Sequence, residues 1–468
     1  MKDHIKEQAE KLASGNPTIA LKDSCRIGYG IQRIEEKEFE TAVQRFIQER
    51  DKSEITFFIP ASGSGSRMFS KIYESIRQNE PNDFLNEVIE NITKFAFYPN
   101  LSPAWKAQIQ SGTVDKIAFA TYLLSPEGLN LGQLPKGLIP FHFYKDQIRI
   151  PFQEHLIQGS QLATKDAHFH FTVNPLFKEA IDQELKPVAA ERKLTYTFSV
   201  QDPASNSIAF DAKLNPLKDK KGEVVTRPAG HGALIKNLDQ IDADLVFIRN
   251  IDNVQHEQKA GTSIQSRQAL GGLLLQFQEE AFNVLSKIER GHAFESSLKT
   301  LNEKYDLRLS ELELGRSHHA FEALNRPIRL CGMVKNEGAP GGGPFWVVNE
   351  KGNHRRQIAE KSQISADPGQ LLLLESATHF NPVELVCGLR NYEGKKFNLL
   401  EFVNQKQYFI VEKTQEGQQI KYIEQPGLWN GAMAHWLTLF YEIDSACFSP
   451  VKTILDLLKD PHQGDYRG

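Results

Sequence analysis

The stretch Ile55-Thr-Phe-Phe-Ile-Pro-Ala-Ser-Gly-Ser-Gly-Ser-Arg-Met-Phe69 decides how the rest of this 468-residue sequence is interpreted. Its first five residues are apolar or β-branched, which predicts a buried strand. Small residues then turn the chain, and Arg67 begins a predicted helix. Glycines let a backbone approach an anion closely, and the free N–H groups of a helix start point toward it. The stretch therefore predicts a phosphate-binding loop, with a ligand-free tight connection as the alternative. The loop residues are Ala61, Ser62, Gly63, Ser64, Gly65 and Ser66.

Composition and charge exclude several classes of protein. The sequence is 40% hydrophobic and 24% charged, as is usual for a globular protein, and its net charge is −4. That charge provides no basic surface for nucleic acid or a membrane, so we expect neither as a partner. Four scattered cysteines without metal-ligand spacing predict a reducing compartment. No signal-peptide core or membrane-spanning run is recognised, so the predicted location is the cytoplasm. The oligomeric state is left open.

Predicted strands and helices alternate along much of the chain, which is the pattern of an α/β protein with a parallel sheet. The predicted strands are 55–59, 169–173, 194–201, 243–253, 327–334, 371–374 and 408–411. The predicted helical segments are 1–50, 70–130, 175–190, 265–325 and 449–458. These patterns predict a helical lead-in at 1–50, an α/β domain at 51–400 with a helical insertion at about 70–130, and a C-terminal extension at 401–468.

Three further segments place polar residues where such sheets bind ligands. Lys136 lies in a loop ahead of an apolar strand, and a second glycine turn, around His231, opens a helix. Asp252 and Asn253 end the strand predicted at 243–253. Ligands bind outside the carboxyl ends of strands in open α/β sheets. These residues are therefore candidates for the same site as the glycine loop.

Several motifs resemble known families. Pro60-Ala-Ser-Gly-Ser-Gly-Ser-Arg-Met68 and Leu134-Pro-Lys-Gly-Leu-Ile-Pro140 resemble the signature of sugar-phosphate nucleotidyltransferases. Arg227-Pro-Ala-Gly-His-Gly-Ala-Leu-Ile235 and Ile248-Arg-Asn-Ile-Asp-Asn-Val254 look like segments of UDP-sugar pyrophosphorylases, in the same order. The whole length also resembles a bacterial family described only as a domain of unknown function. Two features depart from the signature: the 70–130 block separates its two halves, and Ser66 replaces the common threonine.

The resemblance implies a nucleotide-diphospho-sugar transferase (GT-A-like) fold, with a mainly parallel central sheet flanked by helices, a helical insertion and C-terminal additions. It implies Mg²⁺-dependent transfer of a nucleotidyl group from a nucleoside triphosphate, with UTP favoured, to a sugar 1-phosphate, releasing pyrophosphate. Arg67 would clamp the β- and γ-phosphates and Lys136 would meet the α-phosphate or the sugar phosphate, while Asp252 would hold Mg²⁺. The structural alternatives are solvated surface charges for both cations and a loop cap for Asp252.

The same resemblance implies further contacts on the base and sugar sides. The predicted base-side residues are Gln201, Gly230, His231 and Gly232. Lys335 is predicted to meet the sugar phosphate as a catalytic residue. The predicted sugar-side residues are Asn253, Gly342, Gly343, His379 and Asn381. The structural alternatives are a strand-end polar residue for Gln201, a tight turn for residues 230–232, a surface lysine for Lys335 and a structural histidine for His379.

Two other functions remain open from the sequence. A glycosyltransferase on the same scaffold would use a sugar nucleotide as donor, but no Asp-x-Asp motif ends a predicted strand. Asp242 and Asp244 flank Ala243, at the start of the strand predicted at 243–253 and not at its end, so a helix–strand turn is predicted there. A non-catalytic sugar-nucleotide-binding protein would keep the glycine loop without needing Lys136 or Asp252.

Overall fold

A computed structural model describes residues 2–145, 147–163, 167–338, 341–415 and 418–464. The fold is mixed α/β, with a mostly parallel sheet flanked by helices, as predicted. The α-helices are α1 (Lys2–Ala13), α2 (Glu36–Glu49), α3 (Ser70–Gln78), α4 (Asp83–Glu90), α5 (Pro103–Ser111), α6 (Lys116–Leu124), α7 (Pro151–Ala163), α8 (Lys178–Arg192), α9 (Ile235–Leu238), α10 (Gly261–Glu289), α11 (Glu295–Lys304), α12 (Glu311–Gly315), α13 (Ser317–Leu324) and α14 (Pro368–Glu375).

Besides several short 3₁₀ helices, the described part of the chain also contains β-strands. They are β1 (Leu21–Ser24), β2 (Arg26–Ile27), β3 (Gly30–Gln32), β4 (Ile55–Pro60), β5 (His142–Phe143), β6 (Ile148–Arg149), β7 (His168–Thr172), β8 (Thr195–Ser199), β9 (Ser207–Ile208), β10 (Thr226–Arg227), β11 (Leu245–Arg249), β12 (Ile328–Lys335), β13 (Gly343–Val348), β14 (His354–Ala359), β15 (His379–Gly388), β16 (Phe409–Gln415), β17 (Gln418–Glu424) and β18 (Leu437–Glu442). Met1 and residues 465–468, in the predicted terminal segments, lie outside the described residues.

Tertiary contacts divide the chain into two compact units. Unit 1 comprises Met1–Thr56, Gln201–Ile248 and Arg267–Ser445, and unit 2 comprises Phe57–Val200, Arg249–Ser266 and Ala446–Gly468. In unit 1 the strand order is β2-β3-β18-β12-β15-β11; β2, β3, β18 and β12 pair in parallel, and β15 is antiparallel to β12. Unit 1 also contains the antiparallel sheet β1-β13-β14. In unit 2 the order is β4-β7-β8, and β7 and β8 are parallel.

The range 70–130, predicted as a helical insertion, contains helices α3 to α6 of unit 2. Three of these helices begin at side chains that accept hydrogen bonds from first-turn N–H groups: Asn82, Ser102 and Asp115. The apolar faces of the helices share one core with the C-terminal residues Val451 and Ile454. Burying that face is what stabilises such short helices, because isolated helices of this length are marginal in water.

Two segments differ from their predicted secondary structure. Residues 21–32, predicted as helix, form three short strands, because β1 pairs with the distant β13 and the local sequence pattern does not show that partner. Residues 371–374, predicted as a strand, belong to α14. Asp367 accepts hydrogen bonds from Gly369 and Gln370 at the start of that helix, and Pro368 occupies its first turn. His379 therefore begins a strand, β15, and does not follow one.

None of the helices within the described ranges has the length and apolar character needed to cross a lipid bilayer.

Candidate active site

The glycine loop and the lysine loop of the two signature halves lie side by side in unit 2. Ser64 and Pro135 form an antiparallel β-bridge, and the Gly65 N–H donates to the Leu134 carbonyl oxygen at 3.2 Å. The 70–130 block between them packs into a core that also contains Met68 and Ile139, so their separation in sequence does not separate them in space. The two halves of the signature, which are far apart in sequence, are therefore neighbours in the structure.

The backbone of the glycine loop is available for a ligand. The N–H groups of Ser62, Gly63 and Ser64 have no hydrogen-bond partner among the residues that the structure describes. Ser64 and Ser66 share a hydrogen bond of 2.9 Å between their hydroxyl oxygens. A 3₁₀ turn begins at Ser66 and leads into α3, so the loop precedes a helical N-terminus, as predicted. Unpaired N–H groups in such a loop attract anions.

Alanine substitution distinguishes the two glycines of the loop. At Gly65 an added Cβ would lie 2.8 Å from Ile139 Cδ1 and 3.0 Å from the Leu134 carbonyl oxygen, whereas at Gly63 no atom lies within 4 Å. We expect Gly65→Ala to lower the free energy of unfolding by about 1–3 kcal/mol, because the loop must move away from its neighbour. Gly63→Ala should change it by less than about 0.5 kcal/mol. Urea denaturation measures both, and equal losses would contradict the close packing at Gly65.

Lys136 and Asp252 form an ion pair at the end of β11. The Lys136 Nζ atom donates to Asp252 Oδ2 at 2.9 Å and to the Val451 carbonyl oxygen at 2.8 Å. Only 16% of the Lys136 side chain and 8% of the Asp252 side chain are exposed. Two residues predicted separately from the sequence are therefore brought together in a site with little water, where charges interact strongly.

A second lysine, Lys452, contacts the same carboxylate and was not predicted. Its Nζ atom donates to Asp252 Oδ2 at 3.2 Å, and 57% of its side chain is exposed. Burial by itself favours the neutral carboxyl, but Lys136 and Lys452 hold the pKa of Asp252 below its ordinary value. In the sequence, Lys452 is a lysine shortly after Pro450, and nothing there distinguishes it from a surface lysine. Two lysines and one carboxylate leave a net positive charge suited to phosphate.

Arg67 and Asn253 contrast in how far their side chains are engaged. Arg67 is exposed, and its side chain makes no hydrogen bond or ion pair with any described residue, so its guanidinium is available to a ligand. Asn253 is buried, and its side chain accepts from the Ser449 N–H at 2.9 Å and donates to the Cys447 carbonyl oxygen at 3.3 Å. Asn253 therefore holds the C-terminal segment in place, and its sugar-binding role stays a prediction.

In unit 1, His231 and Gln201 already have protein partners. The Leu428 N–H donates to His231 Nδ1 at 3.0 Å, and the His231 ring stacks on Trp429 with ring centroids 4.3 Å apart. Burial lowers the pKa of His231 to about 4, so the ring is neutral at neutral pH. Gln201 lies close to Ser205, with its Nε2 atom 3.4 Å from the hydroxyl oxygen. A base-side role for either residue stays a prediction.

The glycines around His231 are required by close packing. Gly230 has a φ of +74°, and an added Cβ would lie 2.7 Å from Glu424 Oε2. At Gly232 an added Cβ would lie 2.0 Å from the Pro426 carbonyl oxygen. The loop at 230–232 therefore packs against the loop at 424–429. The glycine turn that the sequence singled out is therefore supported by a segment distant in the chain.

The predicted sugar-side residues in unit 1 include one exposed lysine and one engaged histidine. Lys335 and His379 are cross-strand neighbours on β12 and β15. The Lys335 side chain is exposed, without a hydrogen bond or ion pair to any residue in the described ranges. His379 is buried, with its Nε2 atom 3.3 Å from Glu442 Oε1 and its Nδ1 atom 2.8 Å from the Thr378 hydroxyl oxygen. Lys335 is the member of this pair that a ligand can reach.

Asn381, on β15, is held by hydrogen bonds to Gly342 and within its own strand. The Asn381 N–H donates to the Gly342 carbonyl oxygen at 2.8 Å, and Asn381 Oδ1 accepts from the Val383 N–H at 3.0 Å. Val383 has a φ of +63°, which a β-branched residue rarely adopts, so the Asn381 side chain stabilises a strained backbone. An added Cβ at Gly343 would lie 2.8 Å from Phe345 Cε2. Roles of these residues toward a sugar stay predictions.

The residues around Asp252 fit one mode of Mg²⁺ binding. Among the described residues, no three His, Cys, Asp or Glu side chains come together as metal ligands. Mg²⁺ at phosphate sites needs only one or two protein carboxylates, the other ligands being phosphate oxygens and water. Asp252 supplies one carboxylate, and both of its lysine contacts are to Oδ2.

The chain belongs to the family described as Domain of unknown function (DUF4301), whose model matches residues 1–463. This is the kind of family that the sequence motifs indicated. Among curated proteins no match is found.

Solved structures similar to this chain are UDP-sugar pyrophosphorylases and related enzymes. One is the uridine diphosphate N-acetylglucosamine pyrophosphorylase from Trypanosoma brucei in complex with an inhibitor, with 11% identity, a TM-score of 0.49, and coverage of 97% of this chain and 74% of that chain. A mutant UDP-glucose pyrophosphorylase from Leishmania major in complex with UDP-Glc has 11% identity, a TM-score of 0.46 and the same coverage. A UDP-glucose phosphorylase from Trypanosoma brucei has 12% identity, a TM-score of 0.46 and again that coverage.

Proposed function

We propose that this protein is a nucleotidyltransferase that joins a nucleoside triphosphate, with UTP favoured, to a sugar 1-phosphate and releases pyrophosphate. The observation that carries the proposal is the arrangement within unit 2. There, a glycine loop with free N–H groups is bridged to the loop of Lys136, and Lys136 shares Asp252 with Lys452. The predicted location of the protein is the cytoplasm.

The proposed reaction needs charge neutralisation more than proton transfer. An oxygen of the sugar phosphate forms a bond to the α-phosphorus while the bond from that phosphorus to the β-phosphate oxygen breaks, and pyrophosphate leaves. The attacking phosphate is ionised at neutral pH, so no general base is required. Both substrates are polyanions, so holding them together in line is the main task of the protein.

The described residues divide this task between them. The glycine loop donates N–H groups to the phosphates, and Arg67 offers a planar guanidinium for bidentate contacts. Lys136 and Lys452 provide two cations beside Asp252, and Lys136 is held in a fixed direction by the Val451 carbonyl oxygen. Asp252 would hold Mg²⁺, which when bound neutralises phosphate charge during transfer. Fixed charges in a site with little water stabilise developing charge more than they would in water.

A pyrophosphate-release assay tests the proposal. A panel of nucleoside triphosphates is combined with a panel of sugar 1-phosphates, with and without Mg²⁺. We expect release that requires one member of each panel and Mg²⁺. No release with any pair would contradict the proposal and leave a sugar-nucleotide-binding protein, which thermal shifts with UDP-sugars would detect. A sugar-nucleotide-dependent glycosyltransferase would instead release a nucleoside diphosphate.

Asp242 and Asp244 give no support to the glycosyltransferase alternative. Arg390 contacts both carboxylates, at 3.0 Å for Asp242 and 2.8 Å for Asp244. Both aspartates precede β11, as predicted, and they form a structural ion-pair cluster.

Arg67→Ala is expected to weaken triphosphate binding without affecting stability. Because the Arg67 side chain has no hydrogen bond or ion pair among the described residues, its truncation should change the free energy of unfolding by less than about 0.5 kcal/mol. Loss of charge-assisted hydrogen bonds to phosphate should raise the Kd for the triphosphate by about 10- to 100-fold. Calorimetric titration measures the Kd. Arg77→Ala, at another exposed arginine of unit 2, is the matched control, and equal affinities for the two variants would remove Arg67 from the site.

A further inference from the structure

Lys452 is carried by a C-terminal segment that unit 2 holds at both ends. We define this segment, residues 446–464, as the C-terminal strap. Near Lys452, the Val451 N–H donates to the Asp252 carbonyl oxygen at 3.1 Å. On the other side of Lys452, the strap buries Ile454 and Leu457 in the core of the helical insertion. The backbone around Lys452 is therefore held by Asp252 on one side, and on the other by the Asp456 carboxylate, which accepts from the Lys452 N–H at 2.9 Å. The strap continues from there to its far end.

The far end of the strap is anchored by His462. The His462 side chain is buried, and its Nδ1 atom lies 3.0 Å from His142 Nε2, with the two rings stacked at a centroid distance of 5.3 Å. Next to it, the Pro461 carbonyl oxygen accepts from the His256 N–H at 2.8 Å. Asp460 also pairs with Lys259 at 3.2 Å, but that carboxylate is largely exposed and contributes little. The buried ring and the Pro461 contact therefore anchor this end of the strap.

A buried carboxylate fixes the orientation of the His142 ring, whose Nε2 atom faces His462. Glu154 and His142 are fully buried, and Glu154 Oε1 lies 2.9 Å from His142 Nδ1. Burial opposes the charged form, but hydrogen bonds from His142 and Tyr144 hold the pKa of Glu154 below its ordinary value. A carboxylate only accepts hydrogen bonds, so His142 must present N–H at Nδ1 and turn Nε2 toward His462. The His462 ring is therefore placed by its contact with an oriented, buried partner.

We propose that His462 is a positioning residue for Lys452. By fixing the far end of the C-terminal strap in the buried network of His142 and Glu154, it sets the direction from which Lys452 meets the phosphates. The role of Lys452 in this inference rests on the proposed function, whereas the anchoring of the strap does not.

Two substitutions break the same hydrogen bond from opposite sides, and a third preserves it. An asparagine amide nitrogen occupies nearly the position of histidine Nδ1, and a glutamine amide nitrogen that of Nε2. His462→Gln therefore misplaces the group that faces His142, and His142→Asn keeps the Glu154 contact while removing Nε2. His462→Asn retains a donor at the Nδ1 position and is the matched control. His168→Gln, at a histidine bonded to Thr195 and Thr197 on β7 and β8, controls for loss of a histidine elsewhere in unit 2.

Amide hydrogen exchange of the peptide 446–453 measures the anchoring directly. We expect His462→Gln and His142→Asn to accelerate exchange of the Val451 amide by about tenfold, the equivalent of one lost hydrogen bond. His462→Asn and His168→Gln should leave that exchange within about twofold of wild type. If either bond-breaking variant does not fold, the other serves alone. Unchanged exchange in a folded bond-breaking variant would overturn the proposal, whether or not the protein transfers nucleotidyl groups.

A double-mutant cycle separates positioning of Lys452 from a general structural effect. His462→Gln should lower kcat about tenfold in the wild-type background but less than twofold in the Lys452→Met background, because its effect passes through Lys452. An equal fold-loss in both backgrounds would overturn the positioning role. If wild type shows no pyrophosphate release, the proposed function fails, and the exchange result still decides whether His462 anchors the strap.

Discussion

Lys136→Met is expected to lower kcat/KM for pyrophosphate-releasing transfer by about 10²- to 10³-fold, the usual loss when one preorganised charge contact is removed. The side chain is 16% exposed and held by two hydrogen bonds, so its charge is fixed before substrate binds. Methionine keeps most of the apolar stem and removes only the cation. Steady-state rates with both substrates varied measure the effect.

The control for Lys136→Met is another lysine of unit 2 that donates to a backbone carbonyl. Lys106 donates to the Pro99 carbonyl oxygen at 2.7 Å, far from any predicted site residue in sequence, so Lys106→Met should keep wild-type rates. Lys136→Arg should not restore activity, because a guanidinium does not place its charge at the ammonium position. Equal rates for Lys136→Met and Lys106→Met would exclude Lys136 from the mechanism. Circular dichroism at the assay temperature establishes that each variant is folded.

Asp252→Asn is expected to lower kcat by about 10²-fold or more and to abolish the dependence of the rate on Mg²⁺, because it removes the carboxylate that would bind the ion. The amide has the same shape as the carboxyl, so the fold should persist. Initial rates across a Mg²⁺ titration measure the effect. Asp242→Asn, which removes one of three carboxylates around Arg390, should behave like wild type. A normal rate for Asp252→Asn would exclude it as a metal ligand.

A comparison of Asp252→Asn with wild type also tests the ion pairs of Asp252, through the pH dependence of the free energy of unfolding. Since the pKa of Asp252 is depressed in the folded state, its contribution is present above the unfolded-state pKa, near 4, and is lost as pH falls through the lower folded-state pKa. We expect Asp252→Asn to be about 2 kcal/mol less stable than wild type at pH 7, with a difference that shrinks below pH 4. Urea denaturation at both pH values measures it. A difference independent of pH would show that the lysine contacts do not stabilise the charged form.

Local sequence patterns predicted the elements whose interactions are also local. The strand at 55–59, the glycine turn and the helical block after it are present because buried apolar runs, small residues and helix caps act within a few positions. The predictions of a helix at 21–32 and of a strand at 371–374 were wrong for different reasons. The first strand segment depends on pairing with β13, and the helix depends on the cap at Asp367, which a run of leucines obscured.

For the candidate site, the sequence supplied the types of residue but not their partners. Glycine turns, a loop lysine and a strand-end aspartate were recognisable because their chemistry is visible in the residue itself. Lys452 was missed because a surface lysine and a phosphate-site lysine look alike in sequence. Likewise, nothing local to His379 shows that Glu442 and Thr378 already occupy its two ring nitrogens.

By itself the sequence determined the α/β class, the phosphate-loop hypothesis and the order of the motifs, because buried strands, glycine turns and strand-end polar residues follow from short-range preferences. Only the tertiary structure decided that Gly65 touches the lysine loop, that Lys136 and Lys452 share Asp252, and that His462 contacts the buried His142. Each of these contacts joins residues far apart in the chain. Burial, distance and charge sharing between such residues arise only when the fold has formed.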